Sequence, residues 1–217
     1  MPLGVVVGLA AEARIARRLG EVAVAGARPA GAEAAAEALV ARGATALLSF
    51  GLAGGLDPNL NPGDVIVPVA VLDAGRRYFT DEDLCRALGG STVSLLAAGE
   101  ALVGDAREQR LLSTRTGASA VDLESGAVAR VAQRHALPFA VLRAVCGPAQ
   151  RSLPPAALVA LNDRGAIRPF RVLGSIMIRP WQVPALLRLA LGAVLARHAL
   201  AASARILLRH LYGAGGC

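Results

Sequence analysis

Short, continuously apolar runs separated by alanine-rich segments constrain this chain more than any other feature of its sequence. The run Val-Ile-Val-Pro-Val-Ala-Val at residues 65–71 has no polar side to offer water, so a strand built from it must be covered on both faces. Strands are predicted at Leu3–Val7, Thr45–Phe50, Asp64–Val71, Ser91–Ala97 and Phe139–Val145, and helices at Gly31–Arg42 and Leu123–His135. That alternation is the rhythm of an α/β sandwich. Gly43 closes the first helix and Pro138 separates the second from the next strand, so the connections are tight and chemistry falls to the strand ends.

With 54% hydrophobic and 18% charged residues over 217 positions, the chain can bury a sizeable core and disorder is excluded. The expected organisation is an α/β domain over residues 1–150 and a basic helical extension over 151–217. Residues 1–124 hold 11 Arg against 15 acids, whereas residues 125–217 hold 12 Arg against Asp163 alone; lysine is absent. An arginine-rich, apolar end suits anionic headgroups or a phosphate-bearing substrate. Nucleic acid is not expected as a partner, because that end offers little besides Trp181 and Tyr212 for stacking. Cys85, Cys146 and Cys217 form no metal-ligand or disulfide pattern. With no basic stretch ahead of the first apolar run, a reducing, cytoplasmic setting is expected.

After Pro154-Pro155, a loop with Asn162, Asp163 and Gly165 leads to Arg179-Pro180-Trp181 and a long Ala/Leu/Arg helix. Leu186, Leu189, Ala193, Ala196, Leu200, Leu207 and Leu211 share one face, with Arg188, His198, Arg205 and Arg209 largely opposite. Such a helix packs on the sandwich, on a partner subunit, or peripherally on a membrane through residues 180–211. Four arginines between Pro180 and Leu211 argue against a spanning helix.

Four blocks carry the candidate chemistry. Gly4-Val-Val-Val-Gly8-Leu-Ala-Ala-Glu12 is a strand, a glycine turn and a helix start, where a backbone can approach an anion. Ser49-Phe-Gly51-Leu52-Ala-Gly54-Gly55-Leu56 ends a strand in a glycine cradle. Asp122-Leu123-Glu124-Ser125 places two acids where a helix opens, either as caps or as acceptors for vicinal hydroxyls. Leu142-Arg143-Ala-Val-Cys146-Gly147 ends a buried strand; Arg143 is read as an ion-pair partner for Asp122 or Glu124, and Cys146 as a small apolar residue.

In this order the blocks resemble the purine and uridine phosphorylase superfamily, which includes the methylthioadenosine/S-adenosylhomocysteine nucleosidases, and the tail is similar to that of hopanoid-associated phosphorylases. The resemblance implies a three-layer αβα sandwich with a mixed, twisted central sheet. It also implies cleavage of an N-glycosidic bond through an oxocarbenium-like transition state, without a metal and with inorganic phosphate as co-substrate or with water. Adenine would leave an adenosyl-lipid, adenosylhopane, or a soluble adenosyl compound, and a homo-oligomer is implied. By the same resemblance Glu12 positions the nucleophile, with Ala13 as the alternative match. Glu124 holds the ribose hydroxyls, Leu123 lies under the ribose, and Gly8, Gly51 and Leu52 line the nucleophile pocket. Asp122 and Cys146 face the base. Two positions depart from the pattern: Leu52 stands where many members carry a polar residue. Gly147 stands where the family places the aspartate that helps protonate the purine, which puts activity in question and leaves open a binding or scaffolding role.

Overall fold

The computed structural model describes residues 2–101, 103–147, 149, 151–158 and 169–212. A nine-stranded mixed sheet forms its middle layer. Its main path runs β2 (Glu21–Val24), β1 (Leu3–Val7), β3 (Ala46–Gly55), β8 (Ala120–Asp122), β7 (Val93–Ala98), β5 (Pro68–Asp73), β6 (Arg76–Phe79). Off this path, β9 (Phe139–Gly147) pairs with β3 and with β4 (Val65–Ile66).

The continuous apolar runs are explained by burial on both faces. Along β9, Val141 and Val145 enter one core cluster while Ala140, Leu142 and Ala144 enter the other. The first cluster is closed by α2 (Pro29–Ala41) and α5 (Ser125–Arg134) through Ala32, Ala36, Leu39, Val128 and Val131. The second is closed by α1 (Ala10–Ala16), α3 (Glu82–Ala87) and the final helix through Ala13, Leu84, Leu200 and Leu207. A smaller cluster, Leu56, Ala70, Leu95, Ala97 and Ala118, has Leu112 of α4 (Ala106–Thr116) packed against it. These layers are the predicted sandwich.

Strand β3 decides where the site lies. Its first half runs parallel to β1 and β9, and at Gly54 and Gly55 it turns antiparallel to β8. The register with β9 shifts between Ala53 and Gly54, so the strand bends there. The expected single strand Asp64–Val71 is in fact two. Val65–Ile66 pairs with β9 and Pro68–Asp73 with β7, the chain changing partners at Pro68, which has no N–H to continue a ladder. The predicted helix Leu123–His135 begins only at Ser125, because Leu123 and Glu124 remain in the strand-to-helix turn. Strands β2 and β6 and helices α3 and α4 are further elements that the hydrophobic runs did not reveal.

Beyond β9 come α6 (Pro155–Leu158), α7 (Pro169–Ile178), a 3₁₀ turn (Pro180–Gln182) and α8 (Val183–Tyr212). Asn162, Asp163, Gly165 and Cys217 lie outside the described residues. Helix α8 docks through Gly192, Ala196, Leu200, Ala204 and Leu207. A β-carbon on Gly192 would stand 2.1 Å from the Cys146 carbonyl oxygen, so only glycine allows the helix this close to β9. Two expectations about α8 need correction. Leu187, Leu191, Val194 and Leu195 are exposed beside the arginines, so its outer side is not uniformly polar. Pro180–His210 also contains an 18-residue window, of mean hydropathy 1.5, that makes the helix long and apolar enough to cross a membrane by length and composition, because the arginines are spaced too widely to interrupt every stretch.

Candidate active site

Four strands, β1, β3, β8 and β9, with the turns that follow β1 and β8, converge on one buried cluster of charge. From the start of α1, Glu12 turns back so that its carboxylate accepts the Leu9 N–H at 2.7 Å and the Leu52 N–H at 3.0 Å. It is therefore more than a helix-start acid: it ties the β1 turn to the bend of β3. The Leu52 carbonyl accepts from Arg143 Nη1 at 3.3 Å, so a single residue's backbone bridges Glu12 and Arg143. Leu52 thus contributes its main chain to the cluster.

Arg143 is only 1% exposed. Its Nη2 lies 2.7 Å from Asp122 Oδ2 and its Nη1 3.1 Å from Glu124 Oε2, so it pairs with both acids predicted for it. Nη2 also donates to Ser49 Oγ at 2.6 Å, and the Ser49 and Ser125 hydroxyls are hydrogen-bonded to each other at 3.0 Å. Ser125 also makes a short hydrogen bond to Asp122 through its hydroxyl. Arg143 Nε has no partner among the described residues.

Gly8 and Gly51 are required by close approach. A β-carbon at Gly8 would stand 2.5 Å from Glu124 Oε1; one at Gly51 would stand 2.7 Å from Arg143 Nη1 and 2.8 Å from Glu12 Oε1. Any side chain at either position would displace the carboxylates.

The electrostatics follow from three carboxylates and one guanidinium withdrawn from water. Burial, opposed by Arg143 and by backbone hydrogen bonds, raises the pKa of Glu12 above the usual carboxylate range. Burial, assisted by Asp122 and Glu12 and opposed by Arg143, lifts Glu124 to about 7. Arg143 stays charged: burial alone would lower its pKa, but Asp122, Glu124 and Glu12 raise it. Carboxyls poised this way are suited to proton transfer near neutral pH.

Asp122 connects the cluster to a cavity of about 460 Å³ that Leu123, Cys146, Gly147 and Gly54 line on the sheet side. Arg188, Leu189, Gly192 and Leu195 of α8 and Arg151 to Pro154 form its other wall. The sequence-derived site therefore falls into two parts. Gly8, Glu12, Gly51, Leu52 and Glu124 belong to the buried cluster, whereas Leu123, Cys146 and Gly147 face the cavity and Asp122 belongs to both. The Cys146 thiol donates to the Ala53 carbonyl at 3.4 Å, and burial, with Glu12, pushes its pKa up to about 11. It is a neutral, engaged group. Asp122 is held by Arg143 and Ser125. Among the described residues a β-carbon on Gly147 would meet only Leu189 Cδ1, at 3.7 Å, so this position opens into the cavity.

Sequence reasoning missed Ser49, Ser125 and the α8 wall. Ser49 and Ser125 lay inside quoted blocks, but nothing in one sequence marks two buried hydroxyls as partners. Arg14, Arg76 and Arg77 are exposed and stand outside the cluster. Among the described residues no group of acids, histidines and cysteines could hold a metal.

Residues 20–95 match the family described as the phosphorylase superfamily. No curated protein sequence matches the chain. Among solved structures, it is similar to S-adenosylhomocysteine nucleosidase from Streptococcus pyogenes in complex with 5-methylthiotubericidin, at 17% identity and TM-score 0.73, covering 97% of each chain. It is also similar to 5′-methylthioadenosine/S-adenosylhomocysteine nucleosidase from Neisseria meningitidis in complex with methylthio-immucillin-A, at 16% identity and TM-score 0.72, covering 96% of this chain and 99% of that one. Futalosine hydrolase of Helicobacter pylori follows at 15% identity and TM-score 0.71, covering 97% of this chain and 98% of that one. The resemblance to the phosphorylase superfamily read from the sequence is therefore borne out, by a family match over residues 20–95 and by a fold shared along almost the whole chain.

Proposed function

We propose that the protein cleaves the N-glycosidic bond of an adenosyl compound, releasing adenine, and that its substrate carries an apolar tail, as an adenosyl-lipid such as adenosylhopane does. The supporting observation is the buried Glu12–Leu52–Arg143–Glu124 cluster, joined through Asp122 to a cavity with an apolar α8 wall. In this scheme Glu124 holds the ribose hydroxyls over Leu123, and the carboxylates stabilise the positive charge that develops on the sugar. Glu12 positions the nucleophile and takes its proton when that nucleophile is water. No described acid is free at Gly147 to protonate the departing base, so the reaction relies on sugar-side stabilisation and runs slowly.

Inorganic phosphate is one acceptor. Water is the second reading, favoured by a specific observation: Arg143, the cation of the cluster, is already paired with Asp122 and Glu124, which leaves it poorly placed to hold a phosphate dianion. Reaction in the cytoplasm, against the inner face of the membrane, and a homo-oligomeric assembly complete the proposal. The test is chromatographic measurement of adenine released from an adenosyl-lipid and from 5′-methylthioadenosine, with and without phosphate. Phosphate-dependent release with a ribose 1-phosphate product identifies a phosphorylase, and phosphate-independent release a hydrolase. A folded protein that binds both compounds and releases no adenine refutes the catalytic proposal.

A further inference from the structure

The edge of the fold built by α7, the Pro180–Gln182 turn and the first half of α8 carries apolar side chains that no described residue covers. Met177, Ile178 and Trp181 are each about three-quarters exposed (77%, 76% and 74%), and Leu173, Leu187 and Leu191 are more than half exposed. A soluble surface rarely presents so many large apolar groups within one short stretch. The segment is held in shape: the Gln182 side chain donates to the Ser175 carbonyl and hydroxyl at 2.8 and 3.1 Å and accepts the Ala156 N–H at 2.9 Å. The exposure therefore belongs to a fixed feature.

Charge identifies the occupant. Residues 169–212 contain six arginines, two histidines and no acid, and all six arginines are exposed. Apolar side chains among guanidiniums, with a tryptophan at the corner, match an anionic bilayer surface, where the rings and aliphatic groups enter the headgroup boundary and the arginines meet phosphates. The edge is also continuous with the cavity. Leu191 and Leu195, 60% and 46% exposed, line the cavity together with Arg188 and Leu189.

We infer that the α7–α8 edge docks on an anionic membrane and that the cavity opens along it, so that an adenosyl head enters while its apolar tail stays in the bilayer. The second half of this inference rests on the function proposed above; the docking half does not.

The experiment uses the full chain with vesicles of phosphatidylcholine alone or mixed with phosphatidylglycerol. Trp181 is the only tryptophan, so its emission reports the edge directly. Expected are a blue shift and co-flotation on phosphatidylglycerol vesicles that weaken at least about tenfold in high salt. The double substitution Met177→Asp and Ile178→Asp, outside the cavity lining, should abolish both. It should leave adenine release from soluble 5′-methylthioadenosine unchanged and lower release from a vesicle-borne adenosyl-lipid. No vesicle binding, binding indifferent to the double substitution, or sedimentation showing that the substitutions instead dissociate a dimer would each overturn the docking. Intact docking without adenine release from either substrate would refute the proposed function and leave the docking face standing.

Discussion

Substituting Gly147→Asp tests directly whether leaving-group protonation is what the site lacks. The built β-carbon has only Leu189 Cδ1 nearby, at 3.7 Å, so the side chain fits without main-chain movement and enters the cavity beside Leu123 and Cys146. A positioned general acid contributes about 10²–10⁴-fold, or roughly 3–5 kcal/mol of barrier at about 1.4 kcal/mol per decade. Since, among the described residues, only Leu189 Cδ1 lies within 4 Å of that β-carbon to fix the new side chain, the lower end applies, a rise of about 10² in kcat/KM. The assay is adenine release from 5′-methylthioadenosine between pH 5.5 and 8, with Gly147→Asn as the control that offers a hydrogen bond without a transferable proton. The aspartate variant should gain a limb that falls as pH rises and its carboxyl deprotonates, and the asparagine variant should not. An increase below about threefold with an unchanged Tm would show that another group already protonates the base, and the assignment of the missing step would be wrong.

Three further outcomes follow from the buried cluster. Gly8→Ala forces a β-carbon to within 2.5 Å of Glu124 Oε1 and should cost about 10²-fold in kcat/KM through misplacement of that carboxylate; near-wild-type kinetics would remove Glu124 from the substrate site. Arg143→Met leaves Asp122 and Glu124 without their cation and should destabilise by about 3–5 kcal/mol in urea unfolding, with a loss under about 1 kcal/mol contradicting the network. Glu124, lifted to about 7 by burial from an ordinary value of 4.5, holds a proton in the folded state that the unfolded chain releases. Its contribution to stability therefore declines as pH rises through that interval. Wild type should accordingly lose more Tm between pH 5 and 8 than Glu124→Gln, which cannot titrate there, and parallel curves would refute the shift.

Much of the frame was legible because it rests on local patterns. Runs such as residues 65–71 and 139–145 announce a two-sided sheet, since an apolar strand without a polar face has only one stable environment. Glycines at 8 and 51 and acids at 12, 122 and 124 marked the strand ends where a site could form. β2 and β6 were not legible, because at the sheet edge they lack the continuous apolar signature. The amphipathic pattern in residues 183–212 was visible, but the helix exposes a second apolar side that a single wheel does not separate from the docked one.

By itself the sequence determined the layered α/β architecture, the charge asymmetry and the residue types available at each strand end, all properties of neighbouring positions. Only the tertiary structure decided that Arg143 pairs with Asp122 and Glu124, that Leu52 acts through its backbone, and that α8 walls a cavity beside Gly147. Those relations join residues far apart in the chain, and their energies come from desolvation and close approach, which exist only once the strands and helices have packed.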